Sequence, residues 1–176
     1  VHLMRSNHDC ILTSVNTVII DNPRLTCRIR GLENTSPSRI ILDKNLKIPI
    51  RSNIVRSADK YRTFIFFNKV NQKKIKTLKK LKIKLIKTPL SEDKNFDLKK
   101  VLNKAKLLGF ARIFLESGLN LTTNFLNEGL VDVLQLFISS KNLNKNGNNS
   151  FKKNMKTFFK KKITNEKVNL FGDKLI

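Results

Sequence analysis

Between Arg5 and Arg28 the chain gathers side chains able to hold an anion, in the stretch RSNHDCILTSVNTVIIDNPRLTCR. Asp9-Cys10-Ile11-Leu12-Thr13-Ser14 is a short apolar run closing in two hydroxyls, the pattern of a buried strand that stops at a polar edge. Val15 to Ile20 can make a helical turn capped by Ser14 or Asn16. Asp21-Asn22-Pro23 ends it, because the residue before a proline is pushed out of the helical region. Leu25, Thr26 and Arg28 follow. A strand end, free backbone donors at a helix start and guanidinium groups at Arg5 and Arg28 suit a phosphate, since one arginine fork can hold two oxygens. The same residues admit a plainer reading, in which the arginines are solvated and Pro23 only marks a loop.

Composition narrows the classes without choosing among them. The 176 residues suffice for one ordinary domain with a core. A net charge of +23, from 36 Lys and Arg against 13 Asp and Glu, favours polyanionic partners such as nucleotides or nucleic acid. A chain this rich in Lys, Asn, Ile and Phe throughout can equally carry that charge as compositional bias. Cys10 and Cys27 form no C-x-x-C pair and no histidine cluster accompanies them, so neither a disulfide framework nor a metal site is indicated, and both read as reduced core thiols in a cytoplasmic protein. The histidine or cysteine, glutamate and P-C-x-x-C pattern of a zinc deaminase is absent. No apolar run approaches the ~18 residues of a membrane span.

The elements that must position the anion-binding residues alternate along the chain. Ser38 to Asp43 reads as a buried strand with Asp43 at its polar end, and Tyr61 to Phe67 as a core strand. Asn71 to Leu81 is a basic helix with one apolar stripe, whose lysine face can be merely solvated. Lys82 to Thr88 alternates lysine with apolar residues, as an edge strand would. Phe96 to Phe110 reads as an amphipathic helix stopped by Gly109, and Ala111 to Glu116 as a strand. Ser117-Gly118 is a turn, Asn120 or Leu121 through Glu128 a helix capped by Gly129, and Val131 to Ile138 another strand. This order predicts an α/β domain with a mostly parallel sheet, whose ligands collect beyond the strand carboxyl ends. Thr13-Ser14, Asp43-Lys44 and Glu116-Ser117-Gly118 are all such ends.

Arg5, Asp9-x-Ile11-Leu12, Thr17-Val18 and Asp21-x-Pro23-x-Leu25-Thr26-x-Arg28 together resemble the signature of the reductase domain of the bacterial riboflavin-biosynthesis deaminase/reductase family. Glu116-Ser117-Gly118 and Leu126-x-x-Gly129-Leu130-Val131-Asp132 resemble a later motif of that family, in the same order. The resemblance implies a dihydrofolate reductase-like fold and NADPH-dependent reduction of the ribose of 5-amino-6-(5-phosphoribosylamino)uracil. It implies substrate contacts at Arg5, Leu25, Arg28 and Glu116. Cofactor contacts are implied at Thr17, Asp21, Lys44, Gly118, Leu119, Asn120, Leu121, Thr122, Thr123 and Asn124. No residue is matched to a catalytic acid or base.

The family commonly has glycine where this chain has Ser14 and Ser117, and proline where it has Leu119. Its opening strand, with a substrate-binding serine and a cofactor-facing tryptophan, would precede Val1. Residues 1–176 are therefore expected to be a single reductase domain lacking its first strand and helix start. A homodimer and an upstream zinc deaminase domain are implied as well. Val168 to Asp173 resembles the family's closing hairpin, and the preceding Phe151, Met155, Phe158 and Phe159 argue against a simple disordered tail. Two other readings stay open at this point: a non-catalytic truncated member of the same fold, and a basic nucleic-acid-binding module. Lys44 suits a 2′-phosphate, whereas Asp43 alone would suit a ribose hydroxyl.

Overall fold

Strand β1, Cys10–Ser14, is the middle of the structure because its side chains are apolar on both faces until the chain reaches Ser14. The computed structural model describes residues 1–135, 137–138, 166–170 and 173–175, which fall into two compact units, Val1–Leu121 and Thr122–Ile176.

The first unit opens with a short helix, α1 (His2–Ser6), before β1. Helix α2 (Val15–Asp21) follows β1 directly, with the Ser14 hydroxyl accepting from the Thr17 N–H and Asn22 in the left-handed region at its end. Next come β2 (Ser38–Leu42), α3 (Asn53–Arg56), β3 (Thr63–Phe67), α4 (Gln72–Lys80), β4 (Lys84–Lys87), α5 (Leu98–Leu107) and β5 (Ile113–Leu115). The five strands form one parallel sheet in the order β4-β3-β2-β1-β5. Parallel strands need both faces covered, and β3, TFIFF, is buried at every position. One face packs Ile11, Ile41 and Ile65 against Val18, Ile48, Ile54 and Leu78. On the other, Phe64 meets Phe110 edge-on at 5.5 Å between centroids.

The edge position read for residues 82–88 holds, with Lys84 and Lys87 exposed on β4. Lysines there discourage further strand pairing. Two boundaries differ from the sequence reading. Asp97 caps α5 through the Lys100 N–H, so the helix starts at Leu98, and Phe96 instead forms an antiparallel bridge with Leu90. Residues 131–135 hold no strand, because the chain bends at Asp132, a residue type disfavoured in strands.

Helix α6 (Leu119–Asn127) runs from the first unit into the second, where Gly129 closes it at φ +65°. The second unit also contains β6 (Phe137–Ile138), β7 (Glu166–Leu170) and β8 (Asp173–Leu175). These pair antiparallel in the order β6-β8-β7, and Leu170 opposite Asp173 supplies the expected hairpin pairing. Phe151, Met155, Phe158 and Phe159 lie outside the described residues. Among those described, no helix is long and apolar enough to cross a membrane, and no cluster of potential metal ligands occurs.

Candidate active site

At the carboxyl edge of the sheet, β5 delivers Glu116 beside β1, and the Glu116 N–H donates to the Leu12 carbonyl at 3.1 Å. Arg5 reaches the same carboxylate from α1. Its Nε and Nη2 donate to Oε2 at 2.9 Å and Oε1 at 2.6 Å, and Nη1 donates to the Thr26 carbonyl at 3.0 Å. The arginine is buried and the glutamate side chain 28% exposed, so the carboxylate keeps an open side. Three of the guanidinium's five N–H groups are thus used, leaving one on Nη1 and one on Nη2 among the described residues. The expectation of an arginine fork facing only a phosphate becomes a shared one, in which Arg5 fixes Glu116 with one edge.

Thr26 belongs to the irregular segment after Pro23. Leu25 is buried at φ +53°, unusual for a branched side chain. The Arg28 side chain is exposed, and its backbone N–H donates to His2 Nδ1 at 3.2 Å. Burial, then the charges of Arg28 and Arg5, lower the His2 pKa, which keeps Nδ1 free to accept that bond. Arg5, Glu116, Thr26 and, through His2 on the same helix, Arg28 are therefore linked.

The residues matched to cofactor contacts are spread along the same strand ends. Thr17 Oγ1 lies 3.2 Å from Ser14 Oγ in the β1–α2 turn, and Asp21 is exposed at the end of α2. Lys44 follows β2, with Nζ donating to the Lys94 carbonyl at 2.9 Å. Asp43 beside it is sealed: its carboxylate accepts from the Lys47 and Ile48 N–H groups, both at 2.8 Å, and its pKa is raised by burial against those bonds. It cannot offer an oxygen to a ribose hydroxyl, which removes the alternative assigned to it above. Gly118 precedes α6, where a Cβ would meet no atom within 4 Å, and Leu119, Asn120 and Leu121 begin the helix. Thr122, Thr123 and Asn124 continue α6 in the second unit.

Sequence reasoning passed over Arg39. It is fully buried in β2 and donates to Thr63, Ser57, Ile54, Tyr61 and Arg24 oxygens. The available signal was a charged residue inside the apolar run SRIIL.

A mostly parallel sheet flanked by helices, with a site beyond its strand ends, is the architecture of the dihydrofolate reductase-like reductases. The deaminase/5-amino-6-(5-phosphoribosylamino)uracil reductase of Thermotoga maritima shares it at a TM-score of 0.62 and 22% identity, over 82% of this chain and 37% of that one. The riboflavin biosynthesis reductase of Saccharomyces cerevisiae does so at 0.67 and 23%, over 84% and 66%. Residues 1–175 match the RibD C-terminal domain, and the chain belongs to that family. The riboflavin biosynthesis protein RibD of Aquifex aeolicus is 35% identical over 140 residues, covering 80% of this chain. That match spans 37% of the Aquifex protein's length. The family read from the arginine-rich signature, and its fold, are borne out.

Proposed function

We propose that this chain reduces the ribose of 5-amino-6-(5-phosphoribosylamino)uracil to the ribityl form, using NADPH, as a step of riboflavin biosynthesis. The observation that carries the reading is the Arg5–Glu116 pair held against Thr26 at the strand ends, in a member of this family. Arg28 and the unused N–H groups of Arg5 take the substrate phosphate. Glu116, oriented by Arg5, accepts hydrogen bonds from ribose or uracil groups, and Leu25 contributes to the same floor.

The residues fit NADPH at two points. Gly118 has neither a positive φ nor a protein neighbour that would exclude a side chain, so the fold does not require glycine there and the open space suits a pyrophosphate approaching α6. Lys44 is the cation adjoining the sealed Asp43, which favours the 2′-phosphate over a bare ribose. The bound cofactor supplies the hydride, and the protein's task is to hold the acceptor carbon at van der Waals distance from it. Thr17, Asp21 and residues 118–124 complete the cofactor contacts in this reading. A cytoplasmic homodimer, with a zinc deaminase domain upstream in the whole protein, belongs to the same reading.

The test is NADPH titration by calorimetry together with loss of reduced-nicotinamide absorbance on adding the substrate. Saturable binding that survives moderate salt, with turnover, is expected. Arg28→Ala should raise the substrate KM about tenfold or more, the size of a lost charged hydrogen bond, and leave NADPH affinity unchanged. An absence of NADPH binding alongside salt-sensitive oligonucleotide binding would replace the reading with a basic nucleic-acid module.

A further inference from the structure

From Pro23 to Arg28 no backbone group bonds another backbone group among the described residues, and side chains from surrounding elements hold the segment instead. At its start Asn53 grips Asn22, its N–H donating to Oδ1 at 2.8 Å and its Nδ2 to the carbonyl at 2.7 Å. Arg39 Nη1 donates to the Arg24 carbonyl and Arg5 Nη1 to the Thr26 carbonyl, both at 3.0 Å. Ser36 Oγ accepts from the Cys27 N–H at 3.0 Å. Leu25, in the left-handed region, therefore lies between two carbonyls that are each fixed by a buried guanidinium.

The peptide between Arg24 and Leu25 is trans, so its carbonyl and its N–H point in opposite directions. Gripping the Arg24 oxygen on the Arg39 side thus aims the Leu25 N–H the other way. That N–H has no acceptor among the described residues, although Leu25 is 1% exposed. A buried donor without a partner is costly, and a ligand oxygen would satisfy it.

Arg39 has no carboxylate partner; all its acceptors are neutral oxygens. Burial lowers its pKa to about 10, which leaves it charged at neutral pH. The bonds to Thr63, Tyr61, Ile54 and Ser57 tie β3 to α3 and would serve the fold by themselves. Only the Arg24 bond leads to the segment carrying Leu25, Thr26 and Arg28.

We infer that Arg39 is a positioning residue, which fixes the Arg24–Leu25 peptide so that the Leu25 N–H donates to a phosphate oxygen of the substrate. The inference rests on the site reading above, and its test does not need turnover. A chain labelled with nitrogen isotope at leucine is titrated with inorganic phosphate at constant ionic strength, following the Leu25 amide signal by NMR, in the natural sequence and in Arg39→Lys. Saturable movement of Leu25 is expected in the first and none in the second. With substrate and NADPH, Arg39→Lys should raise the substrate KM about tenfold, one hydrogen bond to a charged oxygen, with kcat and NADPH affinity unchanged.

A silent Leu25 amide in the natural sequence overturns the inference even where reductase turnover is seen. So does an Arg39→Lys protein that takes phosphate normally, or one that loses NADPH affinity in parallel, as a general structural defect would. If Arg39→Lys does not fold, the titration of the natural sequence decides. Absent turnover with a responding Leu25 would remove the reductase reading and leave the peptide's orientation for an anion standing.

Discussion

Asp9 shows how much one side chain contributes to the site without entering it. Its Oδ2 accepts from the Ala111 N–H at 2.8 Å and the Arg112 N–H at 2.7 Å, and this fastens the entry of β5 beside β1. The Arg112 amide, above all, holds the carboxyl below its ordinary range, outweighing desolvation. A depressed carboxyl stabilises the fold fully above its unfolded pKa of about 3.9, and that contribution is lost as pH falls through the folded value. Asp9→Ala should therefore cost about 1–3 kcal/mol at neutral pH. Urea unfolding should show the gap between the two proteins narrowing below about pH 4, where the carboxyl of the natural protein takes up its proton. At this scale the sequence disclosed the site's membership through fixed spacing at Arg5, Leu25, Arg28 and Glu116. It did not disclose that Arg5 and Glu116 face one another, since they stand 111 positions apart and no local periodicity links them. His2 escaped notice for the same reason: its partner is the Arg28 backbone, which carries no signature of its own.

Elements were legible in proportion to how strongly they are buried. Strands β1, β2 and β3 fell where unbroken apolar runs placed them, and α4 and β4 where the lysine spacing changed period from helix to strand. The start of α5 and the region 131–135 were misread because short polar residues decide them. Asp97 is a better cap than Phe96 is a first-turn residue, and Asp132 interrupts a run whose hydrophobicity alone suggests a strand. Strand order was not readable, since parallel neighbours are joined through helices rather than by turns with a local code. The packing nonetheless makes a firm forecast for the central strands. Ile65 is fully buried in β3, between β2 and β4, and packs in the cluster around Ile41 and Leu78. Ile65→Ala should lower the unfolding free energy by about 2–5 kcal/mol, seen as a fall in the urea midpoint with an unchanged slope.

Across the whole molecule a net charge of +23 meets few internal counter-charges. Only Arg5–Glu116 and Lys100–Asp97 form ion pairs among the described residues, while Lys73, Lys76, Lys79 and Lys80 stand exposed on α4. Like charges this dense repel through solvent, and salt screens them within roughly 8–10 Å. The melting temperature should accordingly rise between low and physiological ionic strength, measured in sodium chloride to avoid a bound anion. A fall on adding salt would show that ion pairing outweighs repulsion. The position of β5 has a further consequence, for the time course of folding. Strands β1 to β3 meet over short stretches of chain, but Cys10 pairs with Ile113 only after a hundred intervening residues have found their places. Contacts so distant in sequence close late, because the entropy of the loop must be lost before they gain anything. The Arg5–Glu116 pair spans that same loop, so a chain can be largely compact and still have no pocket. Substrate affinity is then the last property acquired on refolding and the first lost when the β5 edge frays.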